Sequence, residues 1–588
     1  MKIKHLFGLA VIAAMTASCS SNEDLGTAGP GTGTNETGVG YATFTINLPS
    51  VGGSTTSGAR ETRAADDGGA EVDEGTADEY KVSDATALIF QKYGADEGSY
   101  KFVESVNLPV TATDWEDDAE AGITTKSKKL VAKLTNVDTK NTYGVLVLLN
   151  NKASSGGVKI KLPTAGQSYN EWNNEAQSPN LTELTKADNF YMANAPLNES
   201  GSVTTLVKID KNNIYATEAE AKVNSSANVY VERGVAKMSV ADPATKTVVD
   251  KATPTVTTQS TVTFNNWALD ITNQKTYAVH NIDGLSTDFS AIWTTARFTG
   301  INKRVYWGKD PNYKMAELNT ADDVNDAKRK EEFNFITATS EINKAFTDPV
   351  YCLENTFNLA NMYQGQTTRV IFKATYAPKA VDATGIITSL AEKDGTFYTI
   401  GNMKTILNET KLKAAVDAAA TSVLSDCTVD YDANLKKEGS HVITLADIKD
   451  ATGKPLVAET EYNGKKGTVI VDEINTKLGL KAGRKEAMVG INTYLQGVTY
   501  YIARVKHFGV LTPWNSGESY GDNNDKYLGR YGMLRNNWYE LKVGNVYGPG
   551  YPGVPPVDPT LPDDENEKYL SVSVKILSWA KRSDTVDL

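Results

Sequence analysis

The chain of 588 residues is long enough for two to four domains, and its 40% hydrophobic content, including 28 Tyr, supports sizeable packed cores. A formal net charge of −12 excludes a general nucleic-acid binder and leaves no broad basic surface for anionic lipid. Three cysteines exclude a disulfide framework, so the fold has to be held by its cores.

The N-terminus reads Met1-Lys-Ile-Lys-His5, an apolar run from Leu6 to Met15, and then Thr16-Ala-Ser-Cys19. A basic start, a short apolar core and small residues before a break mark an export signal too short to stay in a membrane as a spanning helix. The cysteine makes residues 1–18 a lipoprotein signal peptide, with Cys19 as the lipid-bearing residue. Simple secretion with an incidental cysteine is the competing reading. Residues 19–38, rich in Ser, Asn, Gly and Thr, form a flexible tether that cannot pack a core. Order is expected from Tyr41, where Ala42, Phe44, Ile46 and Leu48 share one face of a strand and Pro49 ends it.

A polar stretch, residues 50–79, follows that strand and has almost nothing to bury. Arg60 and Arg63 are the only basic residues between Cys19 and Lys81. Exposed loops of this composition are where proteases cut, so a trypsin-like enzyme would separate the first strand from the body here. The alternative is that both arginines are solubilising charges.

The first body should be a β-sandwich over residues 39–240. Its strands are expected around Ala87–Phe90, Gly144–Leu149, Asn189–Met192 and Val229–Met238, with a short helix or an irregular segment near Leu181–Ala187. The second, residues 241–588, is expected to open at Thr261–Ile271 and to contain strands at Thr368–Tyr376, Gly467–Val471, Gly497–Val505 and Asn537–Val543. One helix is expected over Met403–Ala420, carried by Met403, Ile406 and Leu407, then Leu412, Val416 and Ala419, and lying against a sheet. Trp307, Trp514 and the Tyr-rich segment 519–531 read as core or rim packing in preference to a sugar platform. Cys352 and Cys427 read as buried free thiols in preference to a disulfide with each other.

A linker rich in Pro, Gly and acidic residues, 548–568, leads to a last strand, residues 569–579. There Leu570, Val572, Val574 and Ile576 alternate with Ser571, Ser573 and Lys575. A strand tethered from one side either completes its own domain or adds to another molecule. No catalytic or metal motif accompanies these features: His280, His441 and His507 are far apart in sequence, and no Cys pair has zinc spacing. Asp522–Asp525 lack calcium-loop spacing. The chain is therefore not expected to be an enzyme or to carry a cofactor or metal.

Several segments carry a resemblance. Tyr351-Cys-Leu-Glu-Asn-Thr356, Gln364-Gly-Gln-Thr-Thr-Arg-Val370, Gly529-Arg-Tyr-Gly-Met-Leu-Arg-Asn-Asn-Trp-Tyr539 and the strand 570–577 resemble the C-terminal domain of the Bacteroidota fimbrillins. Asn189-Phe-Tyr-Met-Ala-Asn194 and Val231-Glu-Arg-Gly-Val-Ala-Lys237 resemble their N-terminal domain. The resemblance implies an all-β protein of two transthyretin-like β-sandwich domains in tandem, with a small helical insertion in the second. It implies an outer-membrane lipoprotein precursor, held by lipid at Cys19, that becomes the shaft of a cell-surface fimbrium supporting adhesion and biofilm formation. An arginine-specific protease would cut after Arg60 or Arg63 and remove the strand Ala42–Leu48. The opened groove would accept Leu570–Ile576 of the next copy, giving a head-to-tail filament with anchor and tip subunits as further partners. A tip or accessory adhesin of the same family and a surface glycan-binding lipoprotein are the competing readings.

Overall fold

The computed structural model describes residues 33–35, 37–48, 75–110, 116–117, 126–199, 202–224, 227–249, 256–293, 305, 307–378, 389–394, 396–400, 407–482, 489–508, 524–563 and 570–578. The fold is mostly β, with seven short α-helices among these residues.

Nine strands form the first sheet. Along it lie Lys101–Leu108, Ala85–Gln91, Tyr143–Leu149, Met192–Asn194, Ala227–Arg233, Gly40–Leu48, Lys126–Leu134 and Glu116–Asp117, with Val207–Ile209 also on Tyr143–Leu149. The apolar run Tyr143–Leu149 is buried along its whole length because the sheet is covered on both faces. Tyr143, Val145, Val147 and Leu149 enter one core with the first strand, while Leu146 and Leu148 enter a second core beneath Tyr169, Trp172 and Leu184. The short helix Leu181–Leu184 lies where it was expected.

The second sheet has eight strands. It runs Val350–Cys352, Ala236–Val240, Asn537–Val546, Lys246–Val249, Val256–Asp270, Arg369–Ala377 and Val498–Arg504, with Leu570–Ser578 paired to Asn537–Val546. Val229–Met238 is therefore not one strand. Gly234 divides it, so that Ala227–Arg233 belongs to the first sheet and Ala236–Val240 to the second. A Cβ at Gly234 would come within 2.6 Å of the Tyr191 ring, and this close approach is what permits the sharp passage between sheets. The second sheet consequently opens at Ala236, ahead of Thr261, and the expected break near 240 falls at the end of its first strand.

The insertion between Ala377 and Val498 is larger than a helix. It holds a five-stranded sheet and two packed helices, Glu409–Val423 and Gly467–Lys477, around a core of its own. The first helix starts later than Met403: Leu407 lies in a two-residue strand, which explains the broken stripe, and Leu412, Val416 and Ala420 face inward at steps of four. Met403 and Ile406 lie outside the described residues. Gly467–Val471 is helical and not a strand. Its β-branched run favours an extended chain, but Ile470 and Ile474 continue at helical spacing onto the core, and tertiary packing outweighs the propensity.

Cys352 and Cys427 are buried and free. Trp307, Tyr527 and Tyr531 are core residues, whereas Trp514 lies outside the described residues.

Candidate functional site

The first strand occupies a slot. Its whole length pairs antiparallel with Lys126–Leu134, from Gly40↔Leu134 to Leu48↔Lys126. Its second half pairs parallel with Ala227–Tyr230, and Tyr41 exchanges both backbone hydrogen bonds with Tyr215. Both edges are thus satisfied by strand partners, unlike an edge strand. Ala42, Phe44, Ile46 and Leu48 form the buried floor contacts, sharing a core with Leu130, Val145, Val147 and Val229.

The outward face is covered too, which the alternating sequence did not indicate. Between Tyr215 and Ala227 the chain leaves the slot's wall and crosses its mouth as a short helix, Glu218–Val223. Thr217 caps this helix by accepting from the Glu220 amide, and its hydroxyl lies 2.9 Å from the Glu220 carboxylate. That Thr-x-x-Glu spacing is the sequence signal that would have found it. Beneath the helix, Thr43 Oγ1 donates to the Ala221 carbonyl at 2.7 Å, and Lys129 Nζ donates to Asn224 O at 2.9 Å. A helix end leaves such carbonyls without intrahelical donors. Here the slot's occupant and its wall supply them.

The downstream end of the arginine-bearing loop is anchored in the body. Glu79, 1% exposed, contacts Lys237 Nζ at 2.7 Å, accepts from the Tyr351 hydroxyl, and lends its carbonyl to Arg233 Nε at 2.8 Å. Lys237 Nζ also sits 3.8 Å from the centre of the Trp538 ring. Burial alone would raise the Glu79 carboxyl, but Lys237, Tyr351 and Arg233 outweigh it and hold it below the ordinary glutamate range. Beside this cluster Glu232 meets His280 Nδ1 at 2.9 Å, and Glu354 meets Arg535 Nε at 3.2 Å. Burial opposes protonation of His280, and Glu232 overcomes it, raising the imidazole above its usual pKa. Lys237 and Tyr351, both within the resembling motifs and both on the second sheet, therefore hold Glu79 at the start of the first body, and Arg535 and Trp538 of the same motifs pack beside them on the second.

The terminal strand sits differently from the first. It pairs antiparallel with Asn537–Val546, bringing Leu570 opposite Val546, Val572 opposite Val543, Val574 opposite Leu541 and Ile576 opposite Tyr539. It completes its own sheet in this chain. Its approach is not the loose tether that composition indicated. Tyr501 and Tyr494 donate to the carbonyls of Gly548 and Gly550, Tyr551 bridges Tyr500, Arg369 donates to the carbonyls of Pro555 and Pro556, and Thr367 holds the Asp563 carboxylate. Arg369 is itself fixed by Asp270 at 2.8 Å. The linker is pinned as far as Asp563.

Residues 492–585 match the family model described as major fimbrial subunit protein type IV, fimbrillin, C-terminal. Through this region the chain is similar to the C-terminal domain of the fimbrillins. The match runs from the last strand of the insertion through Val498–Arg504 and Asn537–Val546 to the terminal strand. A crystal structure of a fimbrial assembly protein from Parabacteroides distasonis ATCC 8503 aligns at 12% identity over 57% of this chain and 84% of that one. Its TM-score of 0.24 is too low to define a shared fold. No curated protein matches the sequence.

Cys19, Arg60 and Arg63 lie outside the described residues, and of the terminal strand only the backbone pairing is described. Among the described residues, no group of three or more His, Cys, Asp or Glu is arranged to hold a metal, and no helix is long and apolar enough to cross a membrane. His507 and His441 take separate local roles: His507 bonds the Tyr539 hydroxyl at 2.8 Å, and His441 lies 2.9 Å from the Lys437 carbonyl.

Proposed function

We propose that this chain is the precursor of a fimbrial shaft subunit that polymerises by strand exchange. An arginine-specific protease cuts after Arg60 or Arg63, the first strand leaves its slot, and the terminal strand of a second copy takes its place. The observation that carries this reading is the position of Gly40–Leu48: an N-terminal strand paired on both edges, whose removal opens a groove in the interior of a sheet. The groove would expose an apolar floor and two unpaired backbone edges, both of which a donor strand satisfies.

The anchoring of Glu79 supports the same reading. A cut upstream frees the first strand while the body keeps the loop's downstream end through Lys237, Arg233 and Tyr351. At the other end, the linker is held as far as Asp563, ahead of the strand Leu570–Ile576 that serves as the donor in this reading. Head-to-tail addition of this kind gives an open filament, since a heterologous contact need not close. Lipid at Cys19 would hold the precursor in the outer membrane until cleavage, and the filament would meet anchor and tip subunits at its ends.

The test is the double variant Arg60→Ala with Arg63→Ala, treated with the protease and imaged by electron microscopy. Monomers are expected, and undiminished filaments would rule out the cleavage step. Val574→Asp should leave a soluble cut monomer that does not polymerise. Filaments of normal length from it would rule out the terminal strand as donor.

A further inference from the structure

The slot has a roof as well as walls, and the roof constrains what fits beneath it. Resting on the strand-exchange reading, we propose that the helix Glu218–Val223 selects a donor carrying a hydroxyl at the position of Thr43. The terminal strand of a second copy then enters in the same direction as the first strand, with Ser571 in that position.

The Thr43 bond and the apolar floor set the register. Thr43 is buried, and its hydroxyl is the donor to the Ala221 carbonyl, itself part of a fully buried residue. An occupant without a donor there would seal an acceptor away from water with nothing to bond it. Ser571 at the Thr43 position brings Leu570, Val572, Val574 and Ile576 to the sites of Ala42, Phe44, Ile46 and Leu48, all apolar and all buried. The larger Leu570 at the Ala42 site and the smaller Val572 at the Phe44 site offset one another in volume.

The alternatives place polar groups badly. Advancing the donor by two residues puts Ser573 beneath Ala221 but brings Ser578 to the buried Leu48 site. The reversed direction with the same four apolar residues on the floor puts Lys575 beneath Ala221, burying an ammonium at a site that holds a hydroxyl. In the proposed register Lys575 takes the buried Asn47 site, one residue from the strand's end, where its ammonium takes over the bond that Asn47 Nδ2 donates to the Val229 carbonyl; of these two arrangements only the proposed one puts a hydroxyl beneath Ala221.

The experiment uses the full chain cut in the arginine loop and freed of its N-terminal fragment. Labelled synthetic peptides are titrated by fluorescence anisotropy: residues 38–49, and residues 568–579 as wild type, Ser571→Ala, Ser571→Thr and Ser573→Ala. Ser571→Ala should bind about tenfold more weakly, Ser571→Thr like wild type, and Ser573→Ala within about twofold of wild type. Equal binding by Ser571→Ala, or a larger loss from Ser573→Ala, overturns the proposal while leaving strand exchange intact. If the wild-type C-terminal peptide does not bind while peptide 38–49 does, both the proposal and the donor reading fall. Where the emptied slot closes, exchange is followed in the cut, still-occupied chain by displacement of the native fragment, with the same ranking required.

Discussion

Phe44 is the deepest test of the slot. Its side chain is 0% exposed, it stands opposite Leu130 on one wall and Ala227 on the other, and it shares the core of the first sheet. Truncating a buried Phe to Ala removes the transfer free energy of the ring and leaves a cavity, together about 3–5 kcal/mol. In the uncut chain that loss should appear as a lower unfolding midpoint for the first sheet. After cleavage in the arginine loop the strand is held by non-covalent contacts alone. The same free energy then weakens retention of the fragment by roughly two to three and a half decades. Size-exclusion chromatography of the cut protein, with mass spectrometry of the retained fragment over time, measures this directly. Tyr93→Ala, at a side chain 76% exposed, is the control expected to change nothing. Wild-type retention of the Phe44→Ala fragment would refute the view that floor burial holds the first strand in place.

Three further outcomes are expected. Glu79→Gln leaves Lys237 buried without its counter-charge and should destabilise the junction by about 3–5 kcal/mol, read by urea titration; adding Lys237→Met should recover much of that loss, and additive losses would contradict the pairing. His507 is fully enclosed beside Trp307, Phe508 and Tyr539, and burial depresses its pKa to about 3. A depressed native pKa gives stability that is complete above the unfolded value near 6.5 and is lost as pH falls from there toward 3. The slope is at most about 1.4 kcal/mol per unit, so His507→Gln should flatten the urea midpoint between pH 7 and 4.5, and an unchanged slope would discount this histidine. Leu412→Ala, in the core of the insertion, should cost about 2–5 kcal/mol and raise hydrogen exchange within residues 407–482 while the first strand stays protected; spread of the exchange to residues 40–48 would show that the two cores unfold together.

The charged junction explains why motifs that carry no chemistry carry the family resemblance. Either side of Gly234, Glu232 pairs with His280 and Lys237 with Glu79, while Glu354 and Arg535 pair with each other beside them. A charge in such a place is tolerated only when paired and hydrogen-bonded, so the identity of each residue is fixed by its partner across the junction.

The alternation of Ala42, Phe44, Ile46 and Leu48 and that of Val370, Phe372 and Ala374 determined by themselves that strands form there, because a period of two has one solution when a face must be buried. Partners in space were not determined in this way. The first and last strands read alike, yet one is paired on both edges in the interior of a sheet and the other pairs with Asn537–Val546 of its own sheet. Strand neighbours depend on contacts between residues far apart in the chain, which local periodicity does not encode. For the same reason the Pro-rich linker read as loose: its composition lacks a core, but Arg369, Tyr494, Tyr501 and Thr367 reach it from elsewhere. Only the tertiary structure set a helix over the mouth of the slot, and with it the bond from Thr43 to Ala221 that turns a generic alternating strand into one that fits.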